Sequence, residues 1–360
     1  MSRVFEVSAA LDVLFRERGY VYTDLSITQP TSLFLTRAGD KVIDRLVMLA
    51  EHHPSLVLRP EFTAPALALY IQQQQTKTAR WYFSGPVFTA DDGAVLESYS
   101  WGAELINAQR GVDDEVEVIQ IALDGLQRLG IHDWHLTVGH VGLQSYLLSR
   151  FDLDGRTARF LLDRRHLLNS GEAMQAKQSL YAAIQEFIGS DTRVAATSEA
   201  LEDVVPTSQT MGGRSRHEVA QRLAHKQKRA QEKRQIERAI DYLSHWSSIQ
   251  GTPDQVFTVI ETLCHPEDET TRALQQQWKS VIDALVEHGC SSQSISVQPD
   301  LMRHWEYYTG LVFAIAVQGK IVAAGGRYDE LAMLLGSAVP VPAVGFAYYP
   351  TLLDDTARVS

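Results

Sequence analysis

The sequence predicts an α+β fold: a mixed, mostly antiparallel sheet flanked by helices, with a helical subdomain inserted between two β-rich ends. Three observations carry this reading. Strand-like patterns of alternating and β-branched residues fill much of residues 1–150 and return after 290. Helical patterns dominate residues 151–289, where strand signals thin out. Two aromatic-rich stretches, RWYFSGPVFTADD (80–92) and LESYSWGAELIN (96–107), read as paired strands joined by a polar loop. Residues 1–150 and 290–360 are therefore expected to build one core, with 151–289 as the inserted helical subdomain.

The elements follow in order. Val4, Ala9, Leu11, Val13, Leu14 and Phe15 recur at helical spacing up to a stop at Arg18-Gly19. YVYTDLSITQP (20–30) reads as a strand ended by Pro30. Residues 32–53 permit strand or helix. SLVLRPEF (55–62) reads as a short strand, and TAPALALYIQQQQ (63–75) as a helix that tolerates Pro65 in its first turn. DDEVEVIQIALDGLQRLG (113–130) is a helix that opens on acids, where the dipole favours them, and ends at Gly130. WHLTVGHVG (134–142) reads as a strand running into a glycine-rich turn. Residues 214–246 carry a narrow apolar stripe, Val219, Leu223, Ile236, Ile240 and Leu243, amid many charges, and suit a solvated helix or helical hairpin. SISVQPDL, GLVFAIAVQ, KIVAAGG and AVGFAYY supply the late strands, with GRYDELAMLLG (326–336) as a helix before the last.

Composition excludes several classes of function. A chain of 360 residues with a formal net charge of −11 repels phosphate backbones, so nucleic acid is a poor partner. The charged stretch 214–246 does not reverse this, because acids are interleaved and stacking aromatics are missing until Tyr242 and Trp246. Cys264 and Cys290 form neither a metal-ligand spacing nor a disulfide framework, which suits a reducing cytoplasm. The N-terminal stretch has no apolar signal region, and no run reaches the length of a membrane span. No metal or cofactor is expected.

Three stretches carry candidate chemistry: LRPEFTA (58–64) with WGAELI (101–106), MRHWEYYTGLVF (302–313), and AAGGRYDEL (323–331). Glu61 and Thr63 alternate on an extended segment and can accept hydrogen bonds from an ammonium group. Glu104 adds a second carboxylate. Arg303 offers a fork suited to a carboxylate, and Tyr307 and Tyr308 offer a ring face and a phenol. Gly325 and Gly326 let backbone approach a ligand closely. A zwitterion with a polar ring would satisfy this set. Each residue also has a plainer role open to it: Glu61 as an ion-pair partner of Arg59, the tyrosines as sheet packing, Gly325-Gly326 as a turn.

Taken together the stretches resemble histidyl-tRNA synthetase and its paralogues. RPEFTA resembles RPEGTA at the start of class II motif 2, RHWEYYTG the RGLDYYTG-type histidine signature, and AAGGRYDEL the GGRYD element. Tyr20 to Phe34, with Pro30, resembles the dimerisation strand of motif 1, and VPAVGFA (341–347) the start of motif 3. The resemblance implies a class II aminoacyl-tRNA synthetase-like core. It implies that Glu61 and Thr63 hold the α-ammonium of histidine, Glu104 and Tyr308 its imidazole, and Arg303 its carboxylate.

The departures set the functional expectation. GPVFTADDG (85–93) places Thr89 where an arginine grips the ATP α-phosphate, followed by Asp91 and Asp92. GFAYYPTLL (345–353) places Leu352 at the motif 3 arginine. Adenylation builds charge on phosphorus, and an arginine clamp stabilises it, so ATP activation is not expected. Ser100 stands where the family has a pocket glutamine, and His304 where it has a glycine. Little sequence follows the motif 3-like stretch, so no anticodon-binding domain is expected. This pattern resembles the regulatory subunit of ATP phosphoribosyltransferase. The resemblance implies a non-catalytic dimer within a hetero-octamer, bound to a short-form catalytic subunit and involved in feedback inhibition by histidine. Two alternatives stay open: a histidine-binding module acting on another partner, and a divergent adenylate-forming enzyme.

Overall fold

The β-rich ends of the chain meet in one sheet. Its strands are β1 (Val21–Tyr22), β4 (Ala79–Asp91), β5 (Ala94–Ile106), β6 (His135–His140), β7 (Ile295–Val297), β8 (Leu311–Val317), β9 (Lys320–Arg327) and β10 (Ala343–Tyr348). They lie in the order β1-β4-β5-β10-β9-β8-β6-β7. β1 runs parallel to β4 and β7 parallel to β6, and the other pairings are antiparallel. The remaining strands, β2 (Thr28–Pro30) and β3 (Leu56–Leu58), form a separate antiparallel pair. The structure is a computed structural model that describes residues 2–35, 44–49, 56–91, 94–169, 174–187, 216–263, 268–301, 307–349 and 351–352.

The pleat sends alternate side chains to two different environments. On one face, α1 (Ser2–Glu17) and α4 (Val112–Arg128) cover the sheet. Phe15 stacks on Tyr82 at 5.0 Å and meets Phe346 at 6.3 Å. The Tyr348 hydroxyl donates to Ala122 O at 2.6 Å, and Gly125 makes room for that ring, since a Cβ there would stand 2.0 Å from the Tyr348 oxygen. On the other face, α3 (Thr63–Gln72) packs with Trp81, Phe83, Tyr307 and Tyr328 in one apolar cluster. Short α2 (Ser32–Leu35) buries Phe34 against Val57 of β3.

An ion pair ties α4 to the end of β9. Arg327 Nε donates to Glu115 Oε1 at 2.8 Å, with side chains 8% and 1% exposed, and Arg327 Nη2 donates to Gly111 O at 3.3 Å. Removing one member of such a pair strands a buried charge, which is far costlier than the pair is beneficial.

The chain divides into two compact units, residues 1–144 with 249–360, and residues 145–248. α5 (Val141–Ser149) leads into the second, which contains α6 (Gly155–Arg164), α7 (174–187) and α8 (Arg216–Ser247). Asp154 caps α6, accepting from Arg156 N and Thr157 N at 3.0 Å each. Leu161, Leu180, Ile184, Ile236, Ile240 and Leu243 form its core.

Four expectations change. The helices α9 (Pro253–Leu263) and α10 (Glu269–Glu287) fall in the first unit, not in an insert reaching 289. The reason is packing: Trp278 lies 5.7 Å from His140 of β6 and 5.3 Å from Phe257. Residues 20–30 give two short strands in different sheets, because β1 pairs with β4 and β2 with β3. β6 passes directly into α5, where His140 Nδ1 accepts from Leu143 N at 3.0 Å, so no glycine-rich turn intervenes. The helix expected over 326–336 shrinks to α11 (Leu331–Leu334), because Gly326 and Arg327 complete β9. Val219, Leu223 and Cys264 lie outside the described side chains.

Arg327→Met is expected to lower unfolding free energy by about 3–5 kcal/mol in urea titrations. A loss under about 1 kcal/mol would show that the pair does not anchor α4.

Candidate functional site

The site is built on a floor that is mostly backbone. Trp81, Glu104, Gly345, Gly326, Val312 and Gly139 stand in register across β4, β5, β10, β9, β8 and β6. Glu104, the one acid in this row, folds over its neighbour: a Cβ on Gly345 would lie 1.5 Å from Glu104 Oε2. A Cβ on Gly326 would meet Tyr308 Cδ1 at 2.9 Å and Leu311 O at 2.6 Å. These glycines leave a shallow bed between the acid and the tyrosine. Gly325 does not line it. Alternation along β9 turns this residue to the opposite face, where a Cβ would meet Gly345 O at 2.1 Å and Phe346 Cβ at 2.7 Å. Neither glycine lies in a turn.

The wall above Glu104 comes from the N-terminus of α3. Phe62, at the cap position, supplies no capping side chain. Glu61 does this instead: its carboxylate accepts from Ala64 N at 2.9 Å and from Thr63 N. Those amides favour the ionised form, but burial outweighs them and pushes Glu61 up to about 7. Arg59 does not pair with Glu61. Its Nε donates to Pro86 O at 2.9 Å, its Nη1 to Leu25 O, and its guanidinium lies 4.3 Å from the Phe62 ring centroid.

Thr63 joins the two acids. Its Oγ1 donates to Glu104 Oε1 at 2.6 Å, while the Tyr328 hydroxyl donates to Oε2 at 2.5 Å. Glu104 is 1% exposed. Burial raises its pKa to about 8, offset in part by the two hydroxyls and reinforced by the charge of Glu61. Tyr307 closes the back, 4.8 Å from the Tyr308 ring and 5.6 Å from Tyr328. Glu61, Thr63 and Tyr308 remain half-buried and form the rim.

Thus Glu61, Thr63, Glu104, Tyr307, Tyr308 and Gly326 come together, and Gly325 does not. Arg303, His304 and Asp92 lie outside the described residues. Sequence reasoning missed Tyr328 and Gly345. The signals were present: Tyr328 is the tyrosine of GGRYD, and Gly345 precedes Phe346 in the motif 3-like stretch. Among the described residues no group of His, Cys, Asp and Glu is arranged to hold a metal ion.

The arrangement can accept hydrogen bonds from a cation. Each carboxylate oxygen keeps a further lone pair beyond the bonds above, and Tyr308 offers a ring face. The positions where the resemblance expects phosphate clamps are uncharged. Thr89 lies half-buried on β4 opposite Leu96, and Leu352 is 0% exposed. Ser100 Oγ donates to Tyr348 O at 3.0 Å.

The family model for histidyl-tRNA synthetase matches residues 1–245 and 214–353. The chain belongs to the histidyl-tRNA synthetase family. A similar curated protein from Chelativorans sp. (strain BNC1), named ATP phosphoribosyltransferase regulatory subunit, is 27% identical over 389 residues, covering 99% of this chain and 98% of its own. Among solved structures, an ATP phosphoribosyltransferase regulatory subunit/histidyl-tRNA synthetase from Bacillus halodurans C superposes with a TM-score of 0.68 at 20% identity, over 99% of this chain and 79% of that one. A histidine--tRNA ligase subunit from Alicyclobacillus acidocaldarius gives 0.63 at 22%, over 99% and 93%. The fold is therefore the α+β class II synthetase fold of this family.

Two outcomes test the site. Gly345→Ala should displace Glu104 from the row, break its bonds to Thr63 and Tyr328, and lower the thermal midpoint. An unchanged midpoint with Glu104 still in place would remove the floor argument. The second concerns pH. Raised carboxyl pKa values mean that the folded chain holds protons the unfolded chain releases above about 4.3. Their contribution to stability is present below that value and is lost as pH rises through about 7 to 8. Glu104→Gln should flatten this part of the stability profile between pH 5 and 8.

Proposed function

We propose that this chain is a regulatory subunit of ATP phosphoribosyltransferase, without catalytic activity of its own. It activates a short-form catalytic subunit in the first step of histidine biosynthesis and takes part in feedback inhibition by histidine. The observation that carries this reading is the contrast between two sets of positions that the resemblance assigns to ligands. The acceptor set of Glu61, Thr63, Glu104 and Tyr328 is assembled, whereas Leu352 is a buried apolar residue at the motif 3 clamp position. An amino acid can be held there; nothing at Thr89 or Leu352 stabilises charge on a phosphate. The curated relatives named as regulatory subunits, at 25–27% identity over more than nine-tenths of the chain, support the same reading.

In this proposal Glu61 and Thr63 receive the α-ammonium of histidine, Glu104 and Tyr308 its imidazole, and Arg303 its carboxylate. Two copies pair through the edge formed by β1 and β2. Val21, Tyr22 and Ile27 are exposed there, and among the described residues no strand pairs with the outer side of β1. The pairs assemble with the catalytic subunit into a cytoplasmic hetero-octamer. Histidine acts by linked binding, favouring the assembly of lower activity, and such couplings are typically about 1–3 kcal/mol.

The test is reconstitution. The purified chain, added to the short-form catalytic subunit of the same organism, should stimulate formation of phosphoribosyl-ATP, and histidine should reverse it. Lack of both stimulation and co-elution would sink the reading. The chain alone should not exchange pyrophosphate into ATP in the presence of histidine. A cation binds best to ionised carboxylates, so histidine binding should tighten from pH 6 to 8 and release protons, as read by calorimetry in buffers of different ionisation enthalpy. Glu104→Gln should weaken binding and diminish that release.

A further inference from the structure

A cleft of about 380 Å³ opens beside α1, α4 and α10, on the side of the sheet away from the Glu61–Glu104 bed. Small-molecule sites occupy roughly 300–1,000 Å³, so the space suffices for one. Three helix ends meet there. Arg18 follows α1, Gln127 lies in the last turn of α4, His288 follows α10, and all three line the cleft. Each helix is closed by a glycine at positive φ (Gly19, Gly130 or Gly289) whose N–H donates three residues back at 3.0 Å. A helix C-terminus carries a partial negative charge, so three of them favour a positive guest. Asp124 stands among these ends, one turn from the end of α4, where the dipole disfavours an acid. Its side chain is 30% exposed, and burial raises its pKa although Arg18 and Arg128 act against this. Arg18 Nη2 donates to Asp124 Oδ2, whereas Oδ1 has no partner among the described residues. The side-chain amides of Gln120 and Gln127 line the cleft and are likewise without a hydrogen-bond partner among the described residues. His288 Nδ1 lies 2.7 Å from Ala284 O; a carbonyl only accepts, so Nδ1 donates and Nε2 of the neutral ring is left as an acceptor. Trp134 adds a ring face on which a guanidinium can stack. Arg18 itself shows the chemistry that fits. Its guanidinium is 48% exposed, and its side chain makes no other hydrogen bond among the described residues. It is the resident cation of the cleft, and an ion pair so exposed is weak enough to yield to a competitor.

We propose that this cleft is a binding site for a small organic cation with a guanidinium group, held by Asp124 and the Gln120 and Gln127 amides against Trp134, with Arg18 as the tethered group that it displaces. The site is separate from the Glu61–Glu104 bed, and the inference stands whether or not an amino acid binds there. Guest and Arg18 compete for one carboxylate. Removing Arg18 therefore tightens binding, and removing the charge of Asp124 weakens it. A diffuse attraction to a chain of net charge −11 would respond equally to the loss of any arginine.

The test is calorimetry of the full chain with agmatine, which carries a guanidinium and an ammonium on a short alkyl stem, at physiological ionic strength, where diffuse attraction is screened. Binding should be saturable. Asp124→Asn should weaken it on the order of tenfold, as expected for loss of a charged hydrogen-bond acceptor. Arg18→Gln should tighten it roughly threefold by removing the competing ion pair. Arg16→Gln, which removes the same charge from an exposed position paired with Asp12, should leave the affinity unchanged. In the unaltered chain, bound agmatine should slow alkylation of Cys290, which lines the cleft, as read by mass spectrometry of the peptide that carries it. Should Asp124→Asn fail to fold, this protection decides. The proposal is overturned if no saturable binding is seen, if Arg18→Gln fails to tighten it, or if Arg16→Gln tightens it as much. Binding that survives Asp124→Asn unchanged, or that leaves Cys290 as reactive as before, places the cation at another acid of the chain and overturns the proposal equally.

Discussion

A buried guanidinium held by main-chain carbonyls is the constraint on which the rest of the first unit leans. Arginine cannot shed its charge at physiological pH, so a site that encloses it must supply acceptors. Here they come from segments that share no continuous secondary structure: the end of the first crossing of the chain, and the aromatic hairpin. The small β2–β3 pair is thereby joined to the large sheet through Arg59 and, farther along, through the bond from Ala90 N to Arg45 O at 2.8 Å. Without that junction, the turn leading into α3 would lose its tie to β4, and that turn carries Glu61, one of the two acids of the site.

The second constraint is electrostatic. Two carboxyls lie against one bed, and each holds its proton to a higher pH than it does in water. That is costly for an isolated chain and useful for one that meets a cation, because the ligand supplies the charge that the surroundings withhold. The same environment disfavours a polyphosphate. This electrostatic setting and the buried Leu352 are what the proposed reading, an amino acid held but not activated, rests on.

Much of this was legible in the sequence, for identifiable reasons. The aromatic hairpin, the late strands and the long helices announce themselves through periodicity. Glu61, Thr63, Glu104, Tyr307 and Tyr308 were found because they sit in dense, distinctive stretches. What escaped depended on partners far along the chain. Residues 20–30 look like one strand until β3 and β4 claim different halves of it. The helices at 253–287 look like part of the insert until Trp278 finds His140. Tyr328 could not be tied to Glu104 by any local pattern, since 224 residues separate them. Gly325 and Gly326 are adjacent letters, yet the pleat gives them opposite faces, and which face matters is set only by the neighbouring strands.

The glycine floor limits how the site can diverge. At Gly345, Gly326 and Gly139 any side chain strikes something already in place: the acid, the tyrosine or the segment at Gln298 and Leu301. These three positions thus cannot be used to tune the shape of the bed by degrees. Descendants of this chain can adjust selectivity only at the rim, where Glu61, Thr63 and Tyr308 stand partly open. A base that cannot be retouched and a border that can would let a binding function outlive the chemistry it once served.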